Sequence, residues 1–130
     1  MQKILKWEPF KELPIARWYC EGLHDDYEGF RVLLSGEEKS APTVRLLFDN
    51  VYFYQNRDEG KFIVHEPSEG QFEFPHPFYI LENSSLLNRF HEESSDIYSE
   101  QRIKHFAIYT ANDCIDVLSV DNPATERLSG

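Results

Sequence analysis

A chain of 130 residues, 41% apolar and 15% aromatic, has the size of an ordinary single domain and can bury a real core, which excludes a disordered or low-complexity chain. Its 13 basic and 23 acidic side chains leave a formal charge of −10. That argues against a dedicated nucleic-acid binder, whose affinity rests on a basic surface.

The first 13 residues scatter Lys3, Lys6, Glu8 and Lys11 among their apolar positions, which is not the uninterrupted apolar core of a signal peptide. The segment around Trp7 and Phe10 is expected to pack as a short helix or an extended arm. Residues 15–23 are rich in β-formers. Asp25 and Asp26, with flanking Glu and Gly, supply a turn, and residues 29–35 return as a strand with Phe30, Val32 and Leu34 on one face. After the polar tip at 35–40, Val44, Leu46 and Phe48 alternate in a third strand. Asp49-Asn50 marks a bend, and Val51 to Gln55 is a fourth strand by composition. Asn56 to Gly60 reads as a turn and Lys61 to His65 as a short strand.

Prolines 67, 75 and 77 and Gly70 make residues 66–77 irregular, because proline cannot sit in a central strand. Phe78 to Leu81 predicts a short strand. Asn83 or Ser84 offers an N-cap, and Leu86, Leu87 and Phe90 give residues 85–93 one apolar face at helical spacing. Residues 94–101 are a polar loop. Ile103 to Ala111 and Cys114 to Val120 form a hairpin about Asn112-Asp113, with Phe106 and Ile108 on one side and Ala107 and Tyr109 on the other. The tail beyond Pro123 is polar and expected to fray. These elements predict an α+β fold that is mostly antiparallel β-sheet, meander or sandwich-like, with one or two short helices in a single domain over residues 1–130. No stretch approaches the roughly 20 apolar residues that span a bilayer. With only two cysteines, the expectation is a cytoplasmic protein with reduced thiols and no membrane partner.

No motif names a chemistry. His24-Asp25-Asp26 lacks the three or four convergent ligands of a zinc site and reads as a turn. His24, His65, His76, His91 and His105 form no HxH or HExxH pair. Cys20 and Cys114 have no basic neighbour to activate them and read as core residues. Glu37-x-Lys39 sits at a hairpin tip, and there is no GxSxG, phosphate loop or dinucleotide fingerprint. The sequence therefore assigns no catalytic residue, cofactor or metal, and the expectation is a non-enzymatic protein.

The charge is uneven. Residues 1–65 carry 11 acids against 9 bases, whereas residues 66–130 carry 12 against 4. Within 66–100 only Arg89 opposes eight acids. Such a surface keeps a protein in solution, or steers a basic partner onto it.

The segments Phe90-His91-Glu92-Glu93-Ser94-Ser95-Asp96-Ile97-Tyr98, Lys104-His105-Phe106 and Thr110-Ala111-Asn112-Asp113-Cys114-Ile115-Asp116-Val117-Leu118 resemble small bacterial proteins similar to the immunity proteins encoded beside polymorphic or contact-dependent toxins. The resemblance implies an inhibitor that binds a cognate toxin, often a nuclease, and it designates no site residues. Charge supplies the contact candidates for such a basic, toxin-like partner: Glu66, Glu69, Glu73, Glu92, Glu93 and Asp96. The alternative is a small-ligand-binding β-rich domain whose pocket is lined by Trp18, Tyr52, Tyr54 and His76. A solid core favours the first reading, and a deep apolar cavity with convergent polar groups favours the second.

Overall fold

The computed structural model describes residues 1–14, 16–38, 41–58, 67–98 and 100–128. Ten strands and one helix follow in the order β1 (Gln2–Lys6), β2 (Trp18–Asp26), β3 (Gly29–Gly36), β4 (Thr43–Phe48), β5 (Val51–Asp58), β6 (Ser68–Glu69), β7 (Phe78–Glu82), α1 (Ser85–Glu93), β8 (Lys104–Tyr109), β9 (Asp113–Ser119) and β10 (Ala124–Arg127). One sheet has six strands in the order β5-β9-β8-β7-β1-β6, and the other has four in the order β10-β4-β3-β2. All pairings are antiparallel except the short β1–β6 pair. The α+β, mostly sheet reading of the sequence is thus observed.

The two sheets face each other across one apolar layer. Period-2 alternation explains it: Phe30, Val32, Leu34, Val44, Leu46 and Phe48 point inward from the smaller sheet, and Phe78, Phe106, Ile108, Ile115 and Val117 meet them from the larger. Each such fully buried side chain contributes about 1.5–3 kcal/mol. The chain changes sheet between β1 and β2 and again at two corners, between β4 and β5 and between β9 and β10. Asn50 and Asp121 brace them together through an Asn50 amide donating to the Asp121 carboxylate (2.7 Å) and the Ser119 hydroxyl donating to the Asn50 carbonyl (2.9 Å). At the opposite end Asn112, in the β8–β9 turn, accepts from the Cys20 N–H and donates to the Cys20 carbonyl, tying β2 to the larger sheet.

Strands β8 and β9 are buried on both faces. The outer face of the larger sheet carries a second apolar cluster of Ile4, Tyr79, Leu81, Ala107, Tyr109 and Cys114, against which Phe72 packs. Helix α1 and the loop at 70–77 lie over this face. The molecule is therefore three-layered: small sheet, large sheet, and a helix-and-loop cap.

Several expectations are corrected. Of the two expectations for the segment around Trp7 and Phe10, the helix is not observed; the chain before it is strand β1, in which Gln2 and Ile4 bury one face beside β7. Asn56 to Asp58 are not a turn but continue β5 against Asp113 to Ile115. The expected short strand at 61–65 lies outside the described residues. The described part of the irregular region, 67–77, holds the two-residue strand β6, and Gly70 follows it at φ +83°, where a Cβ would lie 2.4 Å from the Ile4 carbonyl oxygen. The fraying expected of the polar tail is not seen at residues 124–127, which pair with β4, and the Arg127 guanidinium donates to the Lys11 carbonyl. Backbone pairing there outweighs the absence of apolar side chains. No helix among the described residues is long and apolar enough to cross a membrane.

Candidate functional site

A cavity of about 710 Å³ opens over the outer face of the larger sheet. Its floor is built by strand alternation. From the face of β8 and β9 that is turned away from the sandwich core, His105, Tyr109, Cys114 and Asp116 line it, and β5 adds Gln55 and Arg57 from the neighbouring strand. Its walls are Trp18, Phe72, Phe74, Leu81 and Leu86, and α1 contributes Ser84 at its N-cap and Arg89 one helical face away.

Asp116 is the centre of the floor and is fully buried. Its Oδ1 accepts from His105 Nε2 (2.7 Å) and from the Tyr109 hydroxyl (2.7 Å), and its Oδ2 accepts from Gln55 Nε2 (3.0 Å) and an Arg57 guanidinium nitrogen (2.8 Å). Four donors fill the four lone-pair positions of a carboxylate. Burial pushes the Asp116 carboxyl up, but the His105 hydrogen bond and charge and the bonds from Gln55 and Tyr109 outweigh it and hold Asp116 below the usual carboxylate range. The same burial, with the Asp116 charge next to it, drives the Tyr109 phenol well above its ordinary value. Tyr109 thus stays a neutral donor.

The network continues into the cap. Ser84 Oγ and His105 Nδ1 lie 2.7 Å apart, and the Leu87 N–H donates to the same Ser84 oxygen (3.1 Å). His105 thus bridges the Asp116 carboxylate at Nε2 and the Ser84 hydroxyl at Nδ1. A Ser–His–Asp series is the arrangement of nucleophile, base and orienting acid in acyl transfer. Here the hydroxyl is also the helix cap, Ser84 is only 1% exposed, and the Asp116 oxygen facing His105 is shared with Tyr109. The series fixes α1 to the sheet and fixes the polarity of the floor.

The loop on the other wall is pinned as firmly. The Tyr79 hydroxyl accepts from the Glu73 N–H (2.8 Å) and donates to the His76 carbonyl (2.6 Å), and burial pushes its phenol up to about 12. Phe72 packs on the rings of Tyr79 and Tyr109 at 4.9 and 5.3 Å. The aromatic wall is therefore held in place before any ligand arrives.

Of the four residues expected to line a pocket, only Trp18 borders this cavity. A β-bulge between Val51 and Phe53 puts Tyr52 and Tyr54 on different sides: Tyr54 packs on Phe30 in the sandwich core (4.4 Å), whereas Tyr52 lies under Phe90 and Tyr98. His76 lies away from the cavity, its Nε2 2.7 Å from the Trp7 carbonyl. Of the acidic contact candidates, Glu66 lies outside the described residues, and Glu69, Glu73, Glu92, Glu93 and Asp96 are all exposed. Glu69 stands 4.0 Å from Lys3. The two cysteines are not bonded to each other; burial, then the Asp113 charge, pushes the Cys20 thiol up to about 11, so it is a poor nucleophile at neutral pH.

Sequence reasoning passed over Gln55, Arg57, Ser84, His105, Tyr109 and Asp116 as a group. The signal was available in part: Asp116 is a charge at the middle of the apolar run Cys114-Ile115-Asp116-Val117-Leu118, on the parity opposite to Ile115 and Val117. A carboxylate in that position is stable only with partners. No family model, curated protein or solved structure matches the chain.

Proposed function

We propose that the chain is a small-ligand-binding β-rich domain whose ligand occupies the cavity on the outer face of the six-stranded sheet. The observation that carries this reading is the combination of a floor of polar groups converging on Asp116, whose carboxylate accepts four hydrogen bonds, with apolar and aromatic walls. The volume is that of a site for a small organic molecule. A carboxylate held by four donors keeps its neighbours in place, so the floor costs little ordering entropy on binding.

The test is native mass spectrometry of the chain after incubation with a small-molecule extract of its host cell. The wild type is expected to retain an adduct that Leu86→Trp, which fills the cavity from α1, loses. No adduct on the wild type, or the same adduct on both, overturns the reading.

A second reading, the immunity-type inhibitor of a basic toxin, draws support from α1. Glu92 and Glu93 are exposed in its last turn, where the helix dipole disfavours negative charge, so stability does not explain them. Glu92→Lys, Glu93→Lys and Asp96→Lys together are then expected to weaken retention of a basic protein partner and flatten its salt dependence. Unchanged retention and salt slope remove the support for that surface.

A further inference from the structure

We infer that the cavity selects an organic anion: an apolar or aromatic body bearing one carboxylate or comparable oxyanion, which Arg17 and Arg89 bind at the rim. The inference rests on the ligand-binding reading above and adds the class of ligand.

The charge of the lining runs against the charge of the molecule. The chain carries −10, yet among the described residues the cavity is bordered by Arg17, Arg57 and Arg89 and by a single acid, Asp116. Asp116 is saturated by its four donors and faces Arg57 through an ion pair of 2.8 Å, so it has no lone pair left for a cationic ligand. That leaves two guanidinium groups in excess. Both are exposed, and among the described residues the ion pairs are made by Lys3, Arg31, Arg45, Arg57 and His105, with no carboxylate within 4.0 Å of Arg17 or Arg89.

The two arginines come from different parts of the fold. Arg17 immediately precedes β2, where the Glu37 N–H donates to its carbonyl (2.8 Å) and the Ala111 N–H donates to the carbonyl of the next residue, Trp18 (2.8 Å). Arg89 sits on α1, which is locked to the floor through Ser84 and His105. Both backbones are thus fixed while the side chains reach solvent at the rim of one cavity. A planar guanidinium binds carboxylate or phosphate oxygens in bidentate fashion. Between the rim and the floor the walls are Trp18, Phe72, Phe74 and Leu86, which suit a flat apolar body rather than a highly hydroxylated one. In an acidic protein, an uncompensated positive rim also concentrates anions locally at a site the overall field would otherwise repel.

The test compares two fluorescent compounds that share a ring system: anilinonaphthalene sulfonate, an anion, and N-phenylnaphthylamine, which lacks the sulfonate. Each is titrated into wild type, Arg17→Gln/Arg89→Gln and Leu86→Trp, with thermal unfolding confirming that all three are folded. The expected result is that the wild type binds the sulfonate at least about tenfold more tightly than the neutral amine, the scale of one charge-assisted hydrogen bond. The arginine double variant is expected to lose that preference and keep its affinity for the amine. Equal affinities in the wild type, with both lost in Leu86→Trp, refute the anion selectivity and leave the cavity as a binding site. Binding of either compound that survives Leu86→Trp, or binding of neither by the wild type, refutes the cavity reading itself.

Discussion

Asp116→Asn is the most informative single change in the floor. The carboxylate accepts four hydrogen bonds. An asparagine there accepts two and presents an NH2 to the other two donors. If its oxygen keeps His105 and Tyr109, the NH2 faces Gln55 and Arg57. Gln55 can turn its amide and offer an oxygen, but the Arg57 guanidinium carries donors alone and meets the asparagine NH2 as a like group. Breaking a buried ion pair costs about 3–5 kcal/mol. The lower end applies, because the Arg57 side chain is 32% exposed and water recovers part of its solvation. For a chain of this length the unfolding entropy is roughly 0.27 kcal/mol/K, so a loss of about 3 kcal/mol lowers Tm by about 11 °C. Urea unfolding followed by tryptophan fluorescence reads the change, since Trp7 and Trp18 both pack on the sandwich core. The pH dependence has a definite sign. Asp116 is held below its unfolded value, so its contribution is complete above about pH 4 and is lost as the pH falls through its folded pKa. Asparagine does not titrate, so the gap between wild type and variant should close below about pH 4. A loss under 1 kcal/mol near pH 7, or a gap that stays constant into acid, refutes the account of the network.

Two further changes test the elements that frame the cavity. Gly70→Ala places a Cβ 2.4 Å from the Ile4 carbonyl oxygen at a positive φ and should cost about 2 kcal/mol or more by chemical denaturation; an unchanged midpoint contradicts the close approach of the loop to β1. Ser84→Ala removes both the α1 cap and the partner of His105 Nδ1 and should cost about 2 kcal/mol, with faster amide exchange at Leu87. Undiminished protection there shows that the cap is not what holds the helix.

How far the sequence could be read follows from what each residue depends on. Phe30-Val32-Leu34, Val44-Leu46-Phe48 and Phe106-Ile108 announce their strands because alternation against one core is local. The helix was legible to within a residue from Ser84, Leu86, Leu87 and Phe90. β10 was not, since residues 124–127 are all exposed and owe their strand to a pairing with β4 from far along the chain. The same holds for the site. Gln55, His105 and Asp116 become one network only through the register of β5, β9 and β8, and Tyr52 and Tyr54 separate only because of a bulge. Arg17 and Arg89 stand 72 positions apart with no sequence pattern joining them, and only the fold brings both to one cavity.

The central claim is that the outer face of the six-stranded sheet, and not its sandwich face, receives a ligand. Amide chemical-shift mapping during titration with anilinonaphthalene sulfonate tests it directly. The account predicts shifts concentrated at Gln55, His105, Tyr109 and Asp116 and in the first turn of α1, with β3 and β4 silent. Shifts centred on β3 and β4, or spread evenly over the chain, contradict it.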